Sequence, residues 1–325
     1  MTSTRPAHGG AFYLSCLTAF LGGMALAAQS RLNGRMAGHT GDALWAATFT
    51  FASGWALLTL GLLMRTARAG LANTYRAFRS QHLRAWVFFS GFFGASWVTA
   101  QAFAVPLAGV ALFMIGAVGG QTGAALLIDK FGLGPAGRRH VTLARIGAVL
   151  LALVGVSLAV SGRLGTTGPA VVVPVLAAVA GGAAIAMSAA YNGRLNVASR
   201  NFMATTWINF TWGTVALVAI CVVRMLSGAM TWPSWGGAPW WAYLAGLLGV
   251  LYVANSSVVV RYLGVLLLML MTLAGQMSGA LVFDALDPAM RRYLTPVLLV
   301  GVVVTLVAAA WAAYAATKAP TESAG

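Results

Sequence analysis

Residues 119–132 read GGQTGAALLIDKFG, and residues 274–287 read AGQMSGALVFDALD. Laid one over the other, Gly120 meets Gly275, Gln121 meets Gln276, Ala125 meets Ala280, Leu126 meets Leu281 and Asp129 meets Asp284. The chain of 325 residues carries only five Asp and Glu, so two of them in matching apolar surroundings point to a duplication. The register extends outward. Gly22-Gly23 matches Gly181-Gly182, Asn33-Gly34-Arg35 matches Asn192-Gly193-Arg194, and Gly54 and Arg65 match Gly213 and Arg224, all at an offset of 159. Past residue 84 the offset is 155, pairing Trp86 with Trp241, Gly91 with Gly246, Gly94 with Gly249 and Gly109 with Gly264. Near the end it is 153, pairing Pro135 with Pro288 and Arg138-Arg139 with Arg291-Arg292. An offset that changes only at loops is the mark of a repeat, not of chance matches in Ala- and Gly-rich sequence.

The solvent for most of this chain is lipid. Hydrophobic residues make up 60% and charged residues 8%, with a mean hydropathy of +0.84; a soluble domain is about 25% charged. The net charge of +15 therefore reads as topology signalling, not nucleic-acid binding. Apolar runs of the length that crosses a bilayer fall at 12–30, 43–64, 84–104, 107–128, 143–161, 170–191, 203–224, 239–260, 263–283 and 295–316. They are continuous, not alternating, which excludes barrel strands. Residues 25–28, Ala-Leu-Ala-Ala, resemble a signal-peptidase site, but the first run has a partner later in the chain, so it is expected to be retained.

Ten runs in two copies make five per copy. An odd number forces the second copy to enter the membrane upside down, an architecture typical of transporters. The expected fold is an all-α integral membrane protein with ten transmembrane helices as two inverted five-helix repeats, residues 1–165 and 166–325. With both termini on the cytoplasmic side, 14 of the 20 Lys and Arg face inward, as the positive-inside rule requires. The basic loop 65–84 supplies much of that bias.

Polar residues inside a bilayer face a cavity or a partner helix. Gln121 and Gln276 fall on opposite sides of the midplane, each ~5 Å from it at 1.5 Å per residue. Gln29 and Asn33 share a helix face, as do Ser188 and Asn192. With Asn209 and Asn255 they outline two polar vestibules meeting near Gln121 and Gln276. Either they form a hydrogen-bonding substrate path or they tie helices together. Asp129 and Asp284 lie at helix ends before the arginine pairs, as interfacial anchors salt-bridged across a short loop or as gating ion pairs. Cys16 and Cys221 lie in apolar runs and read as small hydrophobes. No ligand spacing suggests a metal or cofactor, and no embedded histidine or central carboxylate suggests an enzyme.

The five-plus-five arrangement resembles the drug/metabolite transporter superfamily. Within it, the polar end of the first run and the stretch 119–132 are similar to the YdcZ-like inner-membrane exporters, with two five-helix units fused in one chain. The resemblance implies export of a small-molecule solute across a bacterial inner membrane. Small multidrug resistance relatives carry a glutamate in their first helix, where this chain has Phe20-Leu21-Gly22-Gly23-Met24-Ala25. That departure puts cation/proton exchange in doubt and favours a neutral or zwitterionic solute. A membrane scaffold and a lipid flippase are the alternatives. Membrane lipids are expected neighbours. Fusion removes the need for dimerisation to build a site, and is compatible with a homodimer.

Overall fold

The computed structural model describes residues 9–135, 137–138, 142–234 and 236–318, and these form helices and connections without strands. The long helices are α1 (Gly9–Thr40), α2 (Ala43–Gly61), α3 (Arg65–Arg79), α4 (Ser90–Phe131), α5 (Leu143–Thr167), α6 (Val172–Ser199), α7 (Phe202–Leu226), α8 (Ala245–Leu286) and α10 (Pro296–Lys318), with a single turn, α9 (Pro288–Arg291), before the last. Short 3-10 turns at Ala85–Phe89 and Trp240–Leu244 lead into α4 and α8 at equivalent places in the two copies. The basic stretch expected as a loop is instead largely the amphipathic helix α3.

Six helices among the described residues are long and apolar enough to cross a membrane. Two pairs of the ten runs share one helix each, α4 and α8, and among the described residues α8 and α10 contribute only the shorter apolar stretches Trp240–Tyr252 and Pro296–Trp311. α4 is a hairpin. Gly109 interrupts it at φ 81, ψ 165, a conformation open essentially to glycine alone. The rings of Trp97 and Phe113 stand 5.2 Å apart, whereas sixteen residues of straight helix would span ~24 Å. The arm after Gly109 therefore runs back along the arm before it. α8 folds back as well. Gly22 of α1 faces Asn255 and Tyr252, and the adjacent Gly23 faces Thr272 and Gln276, although ~25 Å of straight helix would separate Asn255 from Thr272.

The two copies interlock. α1 packs along α8, α6 along α4, α5 along α10, and α2 crosses α7. Bare glycine backbone permits these crossings. A Cβ on Gly23 would overlap the Thr272 carbonyl oxygen, and one on Gly182, the equivalent of Gly23, would overlap that of Ala117, the equivalent of Thr272. Gly120 against Val179 and Gly275 against Phe20 form a second such pair. Small residues bring helices close where lipid supplies no hydrophobic drive between them.

Candidate functional site

An aromatic pair lies where α2 crosses α7. Phe51 of α2 and Phe210 of α7, equivalent at the offset of 159, stack with ring centroids 4.8 Å apart and an interplanar angle of 29°. Each ring fills the space over the other copy's glycine: Phe210 lies on Gly54, and Phe51 on Gly213. Both rings are buried. The sequence carries a signal for this pair, a Phe three residues before each of the matched glycines Gly54 and Gly213.

A polar cluster adjoins each ring: Gly249 faces Phe210 and Gln29, and Gly94 faces Phe51, Asn209 and Ser188. In the first, Thr50 Oγ1 donates to Asn33 Oδ1 (2.6 Å), Asn33 Nδ2 donates to Gln101 Oε1 (2.7 Å), and Gln101 Nε2 donates to Ser30 Oγ (2.8 Å). Gln29 Nε2 donates to the Ala245 carbonyl (3.1 Å). α1, α2, α4 and α8 are joined in this way, and Asn33 and Gln101 are wholly buried. In the second, Asn209 Nδ2 donates to Asn192 Oδ1 and to Ser188 Oγ, both at 3.2 Å, and Ser188 Oγ donates to the Ser90 carbonyl (2.8 Å). Asn33–Thr50 and Asn192–Asn209 are the same contact in the two copies. The second cluster is the looser one, since Asn192 is only part-buried. Beside it stand Trp86, Phe93 and Tyr191, with Tyr191 4.6 Å from the Trp86 ring and 5.7 Å from the Phe93 ring.

Five of the seven amides expected on a path thus make bonds between or along helices: Gln29, Asn33, Asn192, Asn209 and Asn255, the last donating to the Thr18 carbonyl at 2.9 Å. Gln121 and Gln276 differ. Neither side-chain amide has a hydrogen-bond partner among the described residues. Gln276 is 6% exposed and Gln121 half-buried.

The two matched carboxylates are placed differently: Asp129 is salt-bridged across the short loop between α4 and α5, and Asp284 is not in a loop salt bridge with Arg291. Asp284 is 3% exposed and accepts from the backbone N–H of Val110 (2.9 Å) and Ala111 (2.8 Å). These donors open the returning arm of α4, where helix N–H groups lack partners and the dipole favours an anion. The carboxylate from one copy therefore caps the hairpin of the other. Asp129 pairs with Arg145 at 2.5 Å; Arg139 lies outside the described residues, and Arg291 Nε donates to the Ala285 carbonyl (2.7 Å). The loop bridge of Asp129 thus uses Arg145 in place of the arginine pair, and Asp284 is bound by the distant backbone of Val110 and Ala111.

The equivalent arginines of the two copies grip equivalent helix ends. Arg31 and Arg35 of α1 pair with Asp287 at the end of α8. Arg194 of α6, the match of Arg35, donates to the carbonyls of Gly132 (2.5 Å) and Leu133 (2.8 Å) at the end of α4. Burial pushes the Asp287 carboxyl up, but the Ala289 N–H and the two guanidiniums outweigh it and hold its pKa below the ordinary value. Arg224 and Asp42 form a further pair at 2.9 Å. Among the described residues no group of His, Cys, Asp and Glu could hold a metal ion.

The family model described as "Putative inner membrane exporter, YdcZ" matches this chain twice, over residues 14–158 and 173–311. The break between the matches takes in the end of α5 and the start of α6, which fits one match per copy of the repeat. A solved structure described only as a crystal structure of a protein is 21% identical, covers 96% of this chain and 99% of its own, and superposes with a TM-score of 0.53; that likeness concerns the fold alone. No curated protein matches.

Proposed function

Since the chain belongs to the YdcZ family of inner-membrane exporters, as two fused units, we propose that it is a secondary transporter moving a small solute by alternating access of two inverted five-helix repeats, residues 1–165 and 166–325. Ten spans follow if each arm of the α4 and α8 hairpins crosses the membrane. The ion pairs support that count. Arg31 and Arg35 with Asp287, Arg224 with Asp42, and Arg145 with Asp129 each join residues that ten alternating spans put on one side. Both termini are then cytoplasmic.

The observation that carries the reading is the pair of equivalent polar clusters, one against each ring of the Phe51–Phe210 stack. A scaffold has no use for two equivalent buried polar clusters in inverted copies. In this mechanism the α1–α8 and α6–α4 crossings exchange packing, and the arginine clasps at the ends of α8 and α4 open in turn. The part-buried cluster of Asn192 and Asn209 receives solute on one side, and the cluster of Asn33 and Gln29 opens to it on the other. Gln121 and Gln276, whose side-chain amides have no partner among the described residues, hydrogen-bond the solute. Solute amides or hydroxyls suit such a path, and a neutral or zwitterionic compound needs no buried counter-ion.

Efflux of a panel of amino acids, nucleosides, dyes and toxic cations, compared at equal membrane levels, tests this. At least one compound is expected to be exported by the wild type and about tenfold more slowly by Gln121→Ala/Gln276→Ala. Equal export by both would make the glutamines structural. Export of nothing by the wild type would favour the scaffold or the flippase.

A further inference from the structure

α3 is the element the repeat does not explain. It follows α2, but no helix follows α7 at the equivalent place among the described residues. It packs through Ala67, Gly70 and Thr74 against the turn between α6 and α7, where Gly70 abuts Asn201 and Ala204. At 100° per residue, Arg65, Arg68, Arg76 and Arg79 fall within ~80° of arc on the opposite side, and all four are exposed. Its sequence, RTARAGLANTYRAFR, contains no acid.

An open cleft of about 280 Å³ lies where α3 meets that turn, lined by Asn73, Arg76, Ala198 and Arg200. Asn73 Nδ2 donates to the Ser199 carbonyl (3.2 Å), fixing the helix on the turn, and its Oδ1 accepts from Arg76 (2.6 Å), aiming that guanidinium. Arg200 adopts a left-handed backbone with φ 54, while its repeat equivalent is Gly41 at φ 75. Glycine takes that conformation freely and arginine does not. A charged side chain kept at a glycine position invites a functional reading.

The depth of the cleft selects the ligand. α6 has 28 residues and is ~42 Å long at 1.5 Å per residue, which matches a bilayer of ~40–45 Å with its headgroups. Its last residues therefore reach headgroup level, and Val197, 69% exposed, lies on the acyl side of Arg200. We propose that this cleft binds the phosphate of an anionic phospholipid, held between the guanidiniums of Arg76 and Arg200, with Asn73 as a positioning residue. Two cations at one phosphate supply charge-assisted hydrogen bonds, and the exposed arginines of α3 add attraction to an anionic surface.

Labelled phosphatidylglycerol and phosphatidylcholine, titrated in mixed micelles onto the purified full chain, test the assignment. Wild type is expected to bind phosphatidylglycerol at least tenfold more tightly than phosphatidylcholine. Arg76→Gln/Arg200→Asn, in which asparagine accepts the left-handed backbone, should lose at least fivefold in that affinity. Arg291→Gln/Arg292→Gln removes the same charge elsewhere and should change it less than twofold. Should the double variant fail to elute as a single species, Arg76→Gln alone carries the comparison, with a loss of at least threefold expected. Equal binding of the two lipids, or an unchanged affinity in the cleft variant, overturns the proposal. So does displacement of the lipid by millimolar glycerol 3-phosphate, which would mark a site for a soluble phosphate compound.

Discussion

The residue whose role changes most between sequence and structure is Asp284. By sequence it is half of a duplicated motif near an arginine pair. In three dimensions it accepts two backbone N–H groups at the start of the returning arm of α4. Hydrogen bonds to a charged group contribute about 1.5–3 kcal/mol, and a buried donor left unpaired costs about 1–3 kcal/mol. Asp284→Ala orphans both donors at once. It is expected to lower the thermal unfolding midpoint in detergent by several degrees, and Asp284→Asn, which keeps one acceptor oxygen but loses the charge, by less. Equal midpoints for Asp284→Ala and the wild type would show that water caps the hairpin instead. Sequence reasoning had no access to this contact, because it joins positions 174 residues apart in the chain.

At the scale of the element, the glycines were the most legible feature and the polar residues the least. Matched glycines at constant offset become matched crossings: Gly23 on Thr272 and Gly182 on Ala117. The reason is that a helix crossing needs absent side chains, and their absence is printed in the sequence. Hydrogen-bond partners depend on rotation about helix axes, which no offset encodes. Thus Asn33 was readable as polar and membrane-embedded, but its bonds to Thr50 and Gln101 were not. The hairpins were half legible, since the runs 84–104 and 107–128 leave room for a turn but do not show Gly109 as its pivot. A substitution series separates packing glycines from idle ones. Gly23→Val and Gly182→Val each place side-chain carbon on a carbonyl oxygen and are expected to abolish monodisperse protein in size exclusion. Gly38→Ala, where nothing lies within 4 Å, is expected to elute like the wild type. Recovery of folded Gly182→Val at wild-type yield would mean that α6 can slide off α4 at little cost.

For the whole molecule, the decisive fact is that each copy makes its principal contacts with the other. α1 lies along α8 and α6 along α4; the ring stack takes one phenylalanine from each copy; Asp284 of the second copy caps the hairpin of the first. Repeats that trade surfaces in this way form a common core, so neither should hold its structure alone. Residues 1–165 expressed alone would expose the α8-facing glycine surface of α1 and leave Val110 and Ala111 without their cap. Residues 166–325 expressed alone would lose the groove that receives α6. Each fragment alone is expected to aggregate on extraction or to be degraded in the membrane. Produced together from separate reading frames, the two are expected to co-purify through a tag on either one, to elute at the position of the intact chain and to restore efflux of whatever compound the intact chain exports. A first fragment that is monodisperse and monomeric by itself would contradict this, because it would mean that the contacts across the copies add little to a unit already folded. The exchange of packing proposed for transport would then have to occur between two rigid bodies rather than within one shared core.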